Sequence, residues 1–116
     1  MRQLNEDLLV TALEGGSNYW YYIKSLEMIW DTPSNQPTST RIYQAVMDNG
    51  VEIEIHDIED EDERLGVISK AGIEGALSKL KEIEPYIYED IMNDAWDAES
   101  ADAWFQIVVM GEIVYG

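Results

Sequence analysis

Two stretches of this chain carry acid without any base. Residues 48–63 hold nine carboxylates and residues 82–116 hold nine more, with no lysine or arginine in either stretch. They contain 18 of the 24 acidic residues, against seven basic ones in the whole chain, for a formal net charge of −17. A carboxylate removed from water needs a partner, and neither stretch supplies a cation of its own. The densest part, 58–63, has five carboxylates in six positions and reads as an exposed turn. A core must come from the apolar residues between the acids.

There are enough of those. Apolar residues make up 46% of the 116, with four Trp, seven Tyr and one Phe. Acidic disordered chains lack aromatic and β-branched residues, so this chain reads as a single folded domain of ordinary size. Its charge favours solubility at the expense of self-repulsion. It argues against direct contact with nucleic acid or an anionic membrane, which both select positive charge. It favours a basic protein partner, a bound cation, or solubility alone. The absence of cysteine excludes disulfides, thiolate catalysis and cysteine-based zinc sites. The first seven residues do not read as a signal peptide, and no apolar run reaches membrane-spanning length. The longest, 103–115, is interrupted by Glu112. The expectation is a cytosolic protein.

Periodicity then places the elements. Asn5 reads as the cap of a helix over 5–14, with Leu8, Leu9, Ala12 and Leu13 as its apolar stripe and Gly15-Gly16 as its stop. Residues 19–30 are rich in aromatic and branched side chains; within them 19–23 suits a strand, with a continuing helix through the stretch as the competitor. In a strand, Tyr19 and Tyr21 share one face, and Trp20 and Tyr22 the other. Residues 31–37 form a loop by their turn residues and two prolines. Residues 42–47 read as a short strand or a helical turn. Asn49-Gly50 reads as a hairpin turn before Val51, Ile53 and Ile55, which alternate with Glu52, Glu54 and His56. A returning strand covers 65–68.

Ser69 caps a helix to about Glu84, where Pro85 ends or kinks it. A short acidic helix over 86–94 follows, with Ile87 and Ile91 inward. Asp97 or Ser100 caps a last helix over 98–110, which is apolar almost all round and so expected to be buried. Residues 113–115 suggest a terminal strand. The sum is an α+β fold: a small antiparallel sheet with about four helices packed on it, one layer of each.

Two segments carry a resemblance. Ala12-Leu13-Glu14-Gly15-Gly16-Ser17-Asn18-Tyr19-Trp20 is similar to a block in small hypothetical proteins of tailed phages and prophages. So is the ending Asp97-Ala98-Glu99-Ser100-Ala101-Asp102 with Gly111-Glu112-Ile113-Val114-Tyr115-Gly116. The resemblance spans both ends, roughly a third of the chain. It implies a phage or prophage setting in a bacterial host cytoplasm and transfers no functional residue.

No constellation points to catalysis. One histidine, His56, lies on the polar face of its strand among carboxylates, where negative charge favours its protonated form. Nucleophile-elbow, P-loop and dinucleotide motifs are missing. Residues 57–63 offer hard oxygen ligands but lack the EF-hand pattern, so neither a metal nor a cofactor is expected.

The acidic spacing is more suggestive. One strand of B-DNA presents a phosphate about every 3.4 Å. Carboxylates two apart on a strand lie about 6.6 Å apart, and those four apart on a helix about 6 Å. Glu52 and Glu54 have the first spacing; Asp90, Asp94 and Asp97 approximate the second. Such rows can imitate a phosphate backbone, although a solvated acidic surface shows the same spacings by chance.

The leading expectation is therefore a non-enzymatic phage-type protein whose acidic face blocks a basic host protein, in its sharp form a nucleic-acid mimic acting against a defence factor. The contact residues are Glu52, Glu54, Asp57, Glu59, Asp60, Glu61, Asp62, Glu63, Asp90, Asp94, Asp97 and Asp102. An alternative is a nucleotide-like ligand site bordered by Gly15, Gly16, Tyr19, Trp20 and Tyr22, with Lys24 or Arg41 needed against an anion. A third is a structural homo-oligomer joined through the apolar C-terminal segment.

Overall fold

The computed structural model describes residues 2–17, 19–23 and 36–115. The fold is α+β, with three antiparallel strands in the order β1-β2-β3 and five α-helices among the described residues rather than about four. Helix α1 (Arg2–Thr11) buries Leu8 and Leu9 and opens into a wider turn, Ala12–Gly16. There the Ser17 N–H reaches back to the Ala12 carbonyl at 3.0 Å. Asn5 lies inside α1 and is buried, so it is not the cap: the helix begins a turn earlier. The two glycines close it as expected.

Of the strand expected over 19–23, the structure forms β1 (Tyr21–Ile23). Residues 24–30, with Lys24, and 31–35 lie outside the described residues, so most of the expected loop does too. The expected face assignment is corrected. Tyr19 and Trp20 form a turn, with the Trp20 N–H on the Ser17 carbonyl at 3.3 Å, so period-2 alternation does not reach them. Trp20 and Tyr21 enter the core, while Tyr19 and Tyr22 stay exposed.

Residues 42–47 belong to helix α2 (Thr38–Asn49), which buries Ile42, Tyr43, Val46 and Met47. The Asn49-Gly50 pair is therefore no hairpin turn. Gly50 adopts φ 69° and caps α2, its N–H bonded to the Ala45 carbonyl. A left-handed residue serves either purpose. The actual hairpin joins β2 (Ile53–Asp57) to β3 (Arg64–Ile68) through the acidic loop. Ile53 and Ile55 face the core and Glu54 faces out, as the alternation requires. A register shift between Ile55 and His56 interrupts the ladder.

Ser69 caps α3 (Lys70–Ile83), its Oγ accepting the Gly72 N–H at 3.0 Å. Pro85 then starts α4 (Pro85–Met92), so it separates two helices. Asp97 caps α5 (Ala98–Met110) in a reciprocal capping box with Ser100. The Ser100 N–H and then the Ser100 hydroxyl, both donating to the Asp97 carboxylate, hold it below its ordinary range.

Helix α5 is the centre of the molecule. Every residue from 100 to 109 is buried. The helix packs on β3 and against α1, α3 and α4. Two glycines let neighbours approach it: a Cβ on Gly66 of β3 would sit 2.1 Å from the Val109 carbonyl oxygen, and one on Gly72 of α3 2.6 Å from that of Val108. Helix α5 is thus enclosed by its own fold, while Val114 beyond it is exposed. Residues 113–115 form no strand. No described helix is long and apolar enough to cross a membrane.

Candidate functional site

The turn after α1 and the start of α5 meet at one buried carboxylate. Asp102 on α5 accepts four side-chain hydrogen bonds. Its Oδ1 takes the Ser17 hydroxyl at 2.6 Å and the Trp20 indole N–H at 2.8 Å. Its Oδ2 takes the Tyr19 hydroxyl at 2.6 Å and the Gln106 amide at 3.0 Å. Three of these donors come from the turn after α1, more than 80 residues away in sequence. Asp102 was expected on a partner-binding surface. It is buried, and its acceptor positions are occupied from within the fold, so that role is corrected.

Gln106, one helical turn on, holds the C-terminal segment. Its Oε1 accepts the N–H groups of Val114 and Tyr115, both at 2.8 Å, and its Nε2 donates to the Tyr115 carbonyl at 3.0 Å. One side-chain amide thus makes the bonds that the expected strand would have found in a neighbour. The segment so placed lays the Tyr115 ring on Trp20, stacked at 5.4 Å between centroids. Trp20 also packs on Tyr21 and Phe105, which makes it core and not the ligand wall of the alternative reading. Gln106 was missed from sequence. A polar pair four apart inside an otherwise apolar helix was the available signal.

These residues back an open cleft of about 690 Å³. Ile87, Ala98, Ala103 and Ile113 supply apolar lining; Tyr19 and Tyr115 supply two phenol rings; Glu84, Glu99, Asp102 and Gln106 supply the polar groups, with Gly15 beside them. The described lining contains no lysine or arginine. Desolvation and then the bond to Asp102 push the Tyr19 phenol up to about 12, with Glu99 adding a smaller push. Burial alone takes Tyr21 to about 12. The Tyr115 phenol is also raised, by desolvation and then by the charges of Asp57, Glu63 and Glu59.

That last influence locates the acidic loop. It lies close enough to Tyr115 to act on it, and the Ile58 N–H is bonded to the Trp20 carbonyl at 3.2 Å. The loop has a defined shape. Asp57 and Glu63 are joined by a backbone bond at 3.0 Å. The side chain of Asp57 accepts the Glu59 N–H at 2.8 Å, and that of Asp60 the Asp62 N–H at 3.1 Å. These are turns closed by a carboxylate on its own backbone. Glu59, Asp60, Glu61, Asp62 and Glu63 are all exposed.

The other expected contact residues fall in several places. Glu52 and Glu54 are exposed, and Glu54 lies 3.7 Å from the Arg64 Nε, a half-exposed pair of small energetic weight. His56, expected on an open polar face, is buried, with Glu54 3.9 Å from its Nε2 and no hydrogen-bond partner for either ring nitrogen among the described residues. Asp90, Asp94 and Asp97 are exposed, although Asp97 is engaged as a cap. Of the alternative ligand set, Gly15 and Tyr19 line the cleft, Gly16 follows in the same wide turn, and Tyr22 points outward from β1. Arg41 is not in the cleft lining. Among the described residues, no three histidines or carboxylates converge as metal ligands would. No protein-family model, curated protein or solved structure matches the chain.

Proposed function

We propose that this is a non-enzymatic binding protein whose acidic loop and adjacent cleft engage a basic protein of a bacterial host. The observation that carries the reading is the loop at 57–63. Its exposed carboxylates are held in a defined shape by two of their own number and anchored on Trp20. A charged surface that is already ordered loses less entropy on binding than a mobile one. The loop also acts on Tyr115, while Glu99 of the second acidic stretch acts on Tyr19, the other phenol of the same cleft. The sharp form is mimicry of a phosphate backbone to block a nucleic-acid-binding groove. The resemblance of the end segments to phage proteins supports a phage or prophage setting and the host cytoplasm as the place of action.

The test is a capture from bacterial lysate across a salt series, with wild-type protein and the variant E59Q/E61Q/D62N/E63Q. That variant removes loop charge while keeping Asp57 and Asp60, which shape the loop. The expected partner is basic, weakens steeply as salt rises, and is lost with the variant. A partner indifferent to both salt and the variant sinks the reading. The nucleotide-like alternative is disfavoured by the cleft, because its ionisable lining groups Glu84, Glu99 and Asp102 would repel a phosphate.

A further inference from the structure

We propose that the cleft beside Tyr19 and Tyr115 is the seat of an arginine side chain presented by the basic partner, held between the two phenol rings and the carboxylates of Glu84 and Glu99. The inference rests on the binding reading above and adds the chemistry of the contact. The cleft's volume of 690 Å³ lies within the usual range for ligand sites, about 300–1,000 Å³. It is large enough for one long side chain with its flanking peptide.

Its lining selects the occupant. Apolar walls suit an alkyl stem, and the described ionisable groups are acids and phenols. Asp102 already accepts four donors, so the free acceptors facing a ligand are those of Glu84 and Glu99. Both are exposed residues of that lining. A planar guanidinium matches this set better than an ammonium. It pairs with a carboxylate through two parallel bonds and stacks on an aromatic face.

The site is also built in advance. Tyr19 is half exposed, yet its hydroxyl is fixed on a buried carboxylate at 2.6 Å, and Tyr115 is fixed by Gln106 and by stacking on Trp20. Two open rings held by internal bonds lose little freedom when a ligand arrives.

The experiment is an NMR titration of the folded protein with N-acetyl-arginine amide, with N-acetyl-citrulline amide as the neutral isostere. The expected result is saturable shifts of the Tyr19 and Tyr115 ring signals with the arginine probe and none with citrulline. Glu99→Gln and Glu84→Gln should each weaken the probe by about tenfold, the scale of one lost charge-assisted bond. Glu74→Gln, on the exposed side of α3, should leave it unchanged. Equal binding of citrulline overturns the proposal. So do shifts confined to residues 57–63, which would leave a diffuse acidic surface. If Glu99→Gln leaves lysate capture intact while the loop variant abolishes it, the arginine seat falls and the binding reading stands.

Discussion

The loop at 57–63 and the carboxylate at 102 use the same chemical group in opposite ways. Six of the loop's seven residues are acidic, and they meet water, one another's backbone and little else. Asp102 lies inside a buried helix and is surrounded by four donors. Charge density in sequence separates them wrongly, since it assigns both to the surface. Burial and donor supply separate them correctly. A carboxylate placed inside must be satisfied, so it becomes a fastener. Carboxylates placed outside need only space, so they remain available to a partner.

The comparison can be broken at its interior end first. Asp102→Ala leaves the Ser17 hydroxyl and the Trp20 indole without their acceptor, and the expected loss is roughly 3–5 kcal/mol in urea unfolding. A loss below about 1 kcal/mol, the scale of an ordinary substitution, would show that the four bonds are replaceable. Next comes the junction between the hairpin and α5. Gly66→Ala drives a Cβ into the Val109 carbonyl and should cost about 1–3 kcal/mol through forced backbone movement. Gly75→Ala is its counterpart, since nothing lies within 4 Å of that position. Inside α3 it should stabilise, by up to about 1 kcal/mol. If both glycines respond alike, the close approach of β3 to α5 is wrong.

Alkaline titration probes the network from the donor side. The phenols of Tyr19 and Tyr21 are raised to about 12, against an ordinary value near 10. A raised phenol means that the folded state keeps its proton after the unfolded state has released it. The resulting stabilisation is complete below about pH 10 and is lost as pH rises toward about 12. Stability measured from pH 9 to 12 should fall across that window, and less steeply in Tyr19→Phe. Phenolate absorbance showing both tyrosines ionising at the ordinary value would remove this link. The smallest effect belongs to the loop. E59Q/E61Q/D62N/E63Q should change stability by no more than about 0.5 kcal/mol, with any gain appearing at low salt as repulsion is relieved. A large loss would make the loop a structural element after all.

Local rules were legible where the partners are local. Ser69 and Asp97 are caps because the N–H donors they accept lie three residues on, and the alternation at Ile53 and Ile55 marks a strand because neighbours in sequence define its faces. The buried character of α5 follows from its composition. Asn49-Gly50 misleads because a left-handed glycine ends a helix as readily as it turns a hairpin. The deeper failure is at the site. Nothing near Asp102 in sequence announces Ser17, Tyr19 and Trp20, and the two tyrosines of the cleft come together only when both ends of the described chain meet. Asp102 and Gln106, four apart within an apolar helix, were the clue: polar groups in such a setting are held, not displayed.

The distance between Trp20 and its acceptor has a consequence for synthesis. The indole N–H finds its partner 82 residues later. During translation, the turn after α1 therefore leaves the ribosome long before the residue that satisfies it exists. Trp20 and Tyr21 go without their contacts to Asp102 and Phe105 until α5 emerges. The loop at 57–63 is made in that interval, and its two self-closing turns need nothing that comes later. The vectorial order of synthesis thus completes the acidic loop's own turns before the fold that carries it can close.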